Sequence, residues 1–121
     1  MSTSSRVQKY LFLVYAPDCT DQGTFEKRLE VREKHLQEAL PALEPQADVS
    51  MKVGGAVLTP ESITGEGPRT MVGSMLLFEA ESIEAVRKRV ESDIYYTSGV
   101  WDPNKLVILP YVKALGTTNI S

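Results

Sequence analysis

Apolar and polar positions follow two different periods along the 121 residues of the chain. The run Tyr10-Leu11-Phe12-Leu13-Val14-Tyr15 is continuously apolar and aromatic and is bounded by Pro17, which predicts a buried central strand. From Thr24 the period becomes helical. Phe25, Leu29, Leu36, Leu40 and Leu43 fall on one stripe at about 100° per residue, and Thr24 is the candidate cap, with Glu26 in the first turn. Pro41 disfavours helical geometry at the residue before it, so this helix should end near Leu40. Val49 to Leu58 reads as a second strand interrupted by Gly54-Gly55, where a strand can bulge or let a ligand approach the backbone. Thr59 to Arg69, with two prolines and two glycines, reads as a surface loop. Met71 to Ala80 is a third strand, and Ser82 caps a second helix that spaces Ile83, Val86 and Val90 three and four apart. Lys105 to Lys113 is the fourth strand.

The order β-α-β-β-α-β predicts an α+β, ferredoxin-like fold, an antiparallel four-stranded sheet with two helices on one face. The chain should form one domain over residues 1–121, with an ordered core of about 8–115 and flexible tails. Two helices cover only one face of the sheet. The other face would leave a large apolar patch in water, so a homodimer with two sheets meeting face to face is expected.

Composition narrows the function. Thirteen Lys+Arg against 16 Asp+Glu give a net charge of -3. That balance lacks the basic field nucleic acids and anionic membranes require, so neither is an expected partner. The single Cys cannot form an internal disulfide, and one Cys with one His falls short of a zinc site, so no metal is expected. Tyr10 to Tyr15 is too short an apolar run for a signal peptide or spanning helix, which makes a cytoplasmic location the expectation. Cys19 lies between Asp18 and Asp21, whose charges suppress a thiolate. Gly65-Glu66-Gly67 is too short and acidic to cradle phosphate.

Two segments carry candidate chemistry. On the first helix Arg28, Arg32 and His35 gather along one edge of the leucine stripe, with Arg32 almost inside it. A half-buried guanidinium there needs a carboxylate or carbonyl partner; otherwise Arg32 snorkels to water and His35 is solvated beside it. The second segment, Glu91 to Pro103, is polar and aromatic and holds the only Trp. Asp93 there either caps a turn or serves a site, and Trp101 either packs in the core or walls a pocket.

The ordered set Arg28-x-x-x-Arg32-x-x-His35-Leu36, Gly54-Gly55-Ala56, Gly73-Ser74, Asp93, Ser98-Gly99-Val100-Trp101-Asp102 and Ile108-Leu109-Pro110 resembles the YCII-related (YciI-like) family. The resemblance runs from Tyr10 to about Lys113. It implies a dimeric α+β barrel in which a His on the first helix and an Asp after the second form the active-site pair, here His35 and Asp93. The family's Asp is often followed by Pro and an aromatic residue, whereas this chain reads Asp93-Ile94-Tyr95. A carboxylate bonded to one imidazole nitrogen fixes the tautomer and makes the other an effective acid or base. Arg32, backed by Arg28, can hold a carboxylate or enolate oxygen, and the backbone at Gly55 with the hydroxyl of Ser74 or Ser98 can add donors.

The expectation is therefore a small cofactor-independent enzyme of lyase, isomerase or dehydratase type. Its substrate would be an oxygenated ring, lactone or polyketide-like compound, since the family includes a dehalogenase of a chlorinated muconolactone and fungal members associated with secondary metabolism. A non-catalytic binding or accessory protein is the alternative, and a cofactor-free monooxygenase acting on phenols is a third.

Overall fold

The structure, a computed structural model, describes residues 8–116. The tails expected to be flexible lie largely outside them. Four strands and three helices follow in the order β1 (Tyr10–Pro17), α1 (Thr24–Ala39), β2 (Ser50–Leu58), β3 (Met71–Ala80), α2 (Ile83–Glu91), α3 (Ile94–Thr97) and β4 (Val107–Tyr111). The sheet is antiparallel in the order β2-β3-β1-β4, so β1 is central as its unbroken apolar run predicts, and β2 is an edge. The ferredoxin-like plan is present.

Phe12, Val14 and Ala16 of β1 and Leu76, Phe78 and Ala80 of β3 alternate onto one face, where they form the core with Val86 and Val90 of α2. Ser82 caps α2 by accepting from the Ala85 N–H at 3.1 Å. The opposite face carries Tyr15, Met75, Val107, Leu109 and Tyr111, all exposed in this chain. Among the described residues no helix is long and apolar enough to cross a membrane.

Several boundaries differ from expectation for local reasons. Thr24 is the first residue of α1 rather than its cap; Gly23 holds the cap position at φ 91°, in the left-handed region glycine favours. The irregularities of β2 fall at Met51/Val53 and Val57/Leu58, not at Gly54-Gly55. Pro60–Ile63 forms one 3₁₀ turn within the expected loop, and Leu40–Leu43 another after α1. The fourth strand starts at Val107 because Asp102 turns the chain, accepting from the backbone N–H groups of Asn104 and Lys105. Ile94–Thr97 forms a further short helix, within the polar and aromatic segment Glu91 to Pro103.

The main correction concerns α1. Its buried face is Thr24, Arg28, His35 and Ala39, while Leu29, Leu36, Leu40 and Leu43 of the leucine stripe are 46–61% exposed. The helix buries its polar edge. Arg32, placed almost inside the stripe with solvent as its alternative, is exposed, and Arg28 is the buried guanidinium, 2% exposed.

Candidate active site

Two polar clusters lie beneath α1, joined by aromatic rings. In the first, Arg28 donates from one terminal nitrogen to Asp18 Oδ1 at 2.7 Å and from the other to Ser74 Oγ at 2.8 Å. Trp101 Nε1 donates to the same Ser74 oxygen at 3.2 Å. A hydroxyl has two acceptor sites and one hydrogen, so Ser74, accepting twice, keeps its own hydrogen to donate. Asp18 follows β1, and the chain is fixed there by Asp18 N–H to Val72 O, Cys19 N–H to Val100 O and Asp102 N–H to Pro17 O. These bonds bring the Trp101 segment against the end of β1. Burial pushes the Asp18 carboxyl up to about 6, more than the Arg28 charge and hydrogen bond pull it down.

In the second cluster, Asp93 caps α3: Oδ1 accepts from the Tyr95 N–H at 2.8 Å. Its Oδ2 lies 3.1 Å from His35 Nε2 and 3.5 Å from Arg89 Nη1. Asp93 thus caps a turn and at the same time faces the His35 imidazole. The His35 contact has ion-pair distance but not hydrogen-bond alignment, leaving Nε2 a buried nitrogen without a formed bond. The imidazole is stacked on Tyr95, centroids 3.9 Å apart and planes 10° from parallel, and meets the edge of Trp101 at 6.2 Å. Tyr95 is also covered by the Arg28 guanidinium at 4.6 Å. Burial raises the Tyr95 phenol above its ordinary value while Arg28 and Arg32 oppose the shift.

A cavity of about 210 Å³ opens between α1 and the β2 edge. Its polar wall is Arg28, Arg32, His35 and Ser74; its apolar wall includes Ala39, Met51, Leu76 and the Gly54-Gly55 backbone. Six of the eight expected site residues thus gather here: five line the cavity, and Asp93 lies behind His35. Two do not line it. Ser98 turns its hydroxyl back to Ile94 O at 2.5 Å, closing α3. Trp101 is core, 1% exposed, and touches the site through Ser74, the imidazole edge and the Tyr95 ring. Sequence reasoning missed Asp18, Arg89 and Tyr95. Arg89 was accessible through its i, i+4 spacing to Asp93, but Asp18 pairs with Arg28 only through tertiary folding. Burial, then the nearby acids Asp102, Asp21 and Asp18, raise the Cys19 thiol, as its acidic neighbours suggested.

Fold and site define a ferredoxin-like α+β protein with a His-Asp pair at the wall of a small cavity. No protein-family model matches the chain. It is 30% identical over 100 residues to fusaric acid biosynthesis protein 2 of Gibberella fujikuroi, a match that covers 83% of this chain and 90% of that protein. The chain belongs to the family of that protein. It is also 31% identical over 100 residues to aspartate kinase FUB3 of Fusarium oxysporum, but spans only 17% of that protein's length. Among solved structures it resembles 5-chloro-2-hydroxyhydroquinone dehydrochlorinase (TftG) from Burkholderia phenoliruptrix, in complex with 2,5-dihydroxybenzoquinone. The TM-score is 0.67 at 28% identity, covering 86% of this chain and 95% of that one.

Proposed function

We propose that this protein is a cofactor-independent enzyme of secondary metabolism that moves protons on an oxygenated, quinone- or lactone-like ring, as a lyase, isomerase or dehydratase. The observation that carries this reading is the 3.1 Å His35–Asp93 contact at the wall of the cavity. The similarity to fusaric acid biosynthesis protein 2 supports the metabolic setting, and the similarity to a dehydrochlorinase complexed with a dihydroxybenzoquinone supports the ring and the reaction class. The motif resemblance to the YCII-related family supports the same pair.

In this mechanism Asp93 holds the Nε2 proton of His35, and Nδ1 takes a proton from a ring carbon or hydroxyl. The electron pair left behind moves into the neighbouring carbonyl, and the enolate oxygen formed is met by Arg32 and by the free hydrogen of Ser74. The imidazolium then returns its proton, to another ring carbon in an isomerisation or to a departing hydroxide in a dehydration; in a dehydrohalogenation, halide leaves with the electron pair and the imidazolium gives its proton to water. Arg28 holds Ser74 and Asp18 in place behind this wall. A second copy of the chain covers the open sheet face, giving the dimer; sedimentation velocity at twice the monomer mass is the expected result.

The test is incubation with hydroxyquinone and unsaturated lactone substrates in deuterated water. Solvent deuterium entering a ring carbon, or release of water or halide, supports the enzyme, with the signal lost in His35→Gln. A compound that binds and returns unlabelled and unchanged supports the binding-protein alternative and overturns the proposal.

A further inference from the structure

The exposed leucines of α1 and of the 3₁₀ turn after it sit beside the cavity for a reason that the ring chemistry alone does not supply. A helix normally turns its leucine stripe inward, and contiguous exposed apolar surface marks a binding surface. Leu36, Leu40 and Leu43 form one side of an apolar groove of about 250 Å³, and Met51 and Val53 of β2 form the other. The groove is continuous with the cavity: Leu36, Ala39, Met51 and Gly54 line both. Its charged member, Lys52, is paired with Glu79 at 3.5 Å, so the lining is apolar with its one charge answered. Gly54 stands at the junction, where an added Cβ would come within 2.6 Å of Met51 Sδ and 3.2 Å of Leu76 Cδ2.

We infer that this groove seats a linear alkyl substituent carried by the same ring that occupies the cavity. The inference rests on the proposed function for the ring itself and adds the substrate class, an alkyl-bearing oxygenated ring. The continuity of the two linings selects this occupant, because a chain leaving a ring bound against Ala39 and Met51 passes directly onto Leu40 and Leu43. Side-chain anchoring in the groove fixes which ring carbon faces His35.

The experiment is calorimetric titration of the intact protein with 2,5-dihydroxybenzoquinone and its 3-alkyl derivatives from methyl to octyl. Affinity should rise about fourfold per methylene, as burial of a CH₂ predicts, until the groove is filled. Leu40→Ser with Leu43→Ser should flatten this dependence and leave the affinity of the unsubstituted quinone unchanged. If the unsubstituted ring binds but chain length has no effect in the wild type, the alkyl inference is overturned and the ring reading stands. If no member binds, both fall. If the double variant loses mass in sedimentation velocity, the leucines are a contact between copies, and the inference is overturned.

Discussion

Two buried acid-base pairs lie beneath the same helix, yet they are built for different work. Arg28–Asp18 is closed: a 2.7 Å ion pair, a second bond to Ser74 and a tryptophan donating to the same hydroxyl hold it in one geometry. His35–Asp93 is open: the carboxylate is fixed by the Tyr95 N–H and Arg89, but the imidazole has ion-pair distance without alignment and borders the cavity. A closed pair sets structure, and an open pair beside a cavity is free to exchange protons. The difference yields separable predictions.

The largest effect should come from removing the imidazole of the open pair, the acid-base centre of the proposed function. His35→Gln should lower turnover by about 10²–10⁴, the usual contribution of a general acid-base group, while the thermal transition stays close to wild type. A parallel loss of folding would assign His35 to structure.

Next comes the closed pair. Arg28→Met strands Asp18 as a buried, unpaired charge, which should cost about 3–5 kcal/mol in urea unfolding. Arg28→Met with Asp18→Asn should recover part of that loss. Equal destabilisation by the single and double variants would show that packing rather than pairing dominates.

A smaller effect concerns pH. The folded-state Asp18 pKa of about 6 lies above the 3.8 of the unfolded chain, so between these values the folded form binds the extra proton. Its contribution to stability is therefore complete below pH about 4 and is lost as pH rises to about 6. Urea midpoints across that window should show this downward component in the wild type and not in Asp18→Asn.

The smallest effect should come from Arg89→Met. This residue positions Asp93 from 3.5 Å and is partly exposed, so stability should change by about 0.5 kcal/mol. Turnover should fall modestly with KM unchanged, and Arg89→Lys should restore it; a KM effect alone would place Arg89 in substrate binding.

The strands and their order were legible because continuous apolar runs and prolines mark them without reference to partners. Tyr10–Pro17 and Met71–Ala80 are the clearest cases. The orientation of α1 was not legible. Periodicity assigns the leucines to the core, but Arg28 and His35 find partners at Asp18 and Asp93, ten and 58 positions away, and tertiary pairing outweighs the stripe. The motif resemblance placed His35 and Asp93 together where periodicity could not. Trp101 and Ser98 were overread for the opposite reason: a polar-aromatic segment looks like a site, but its hydrogen bonds turn inward to Ser74 and Ile94.

The central claim is that Asp93 sets the tautomer of His35 within one subunit. His35 is the only histidine, so ¹⁵N-detected NMR of untagged protein reads its ring nitrogens directly. The account predicts one dominant neutral tautomer with the proton on Nε2, facing Asp93, and a mixture of tautomers in Asp93→Asn. A wild-type mixture that the substitution leaves unchanged would contradict it.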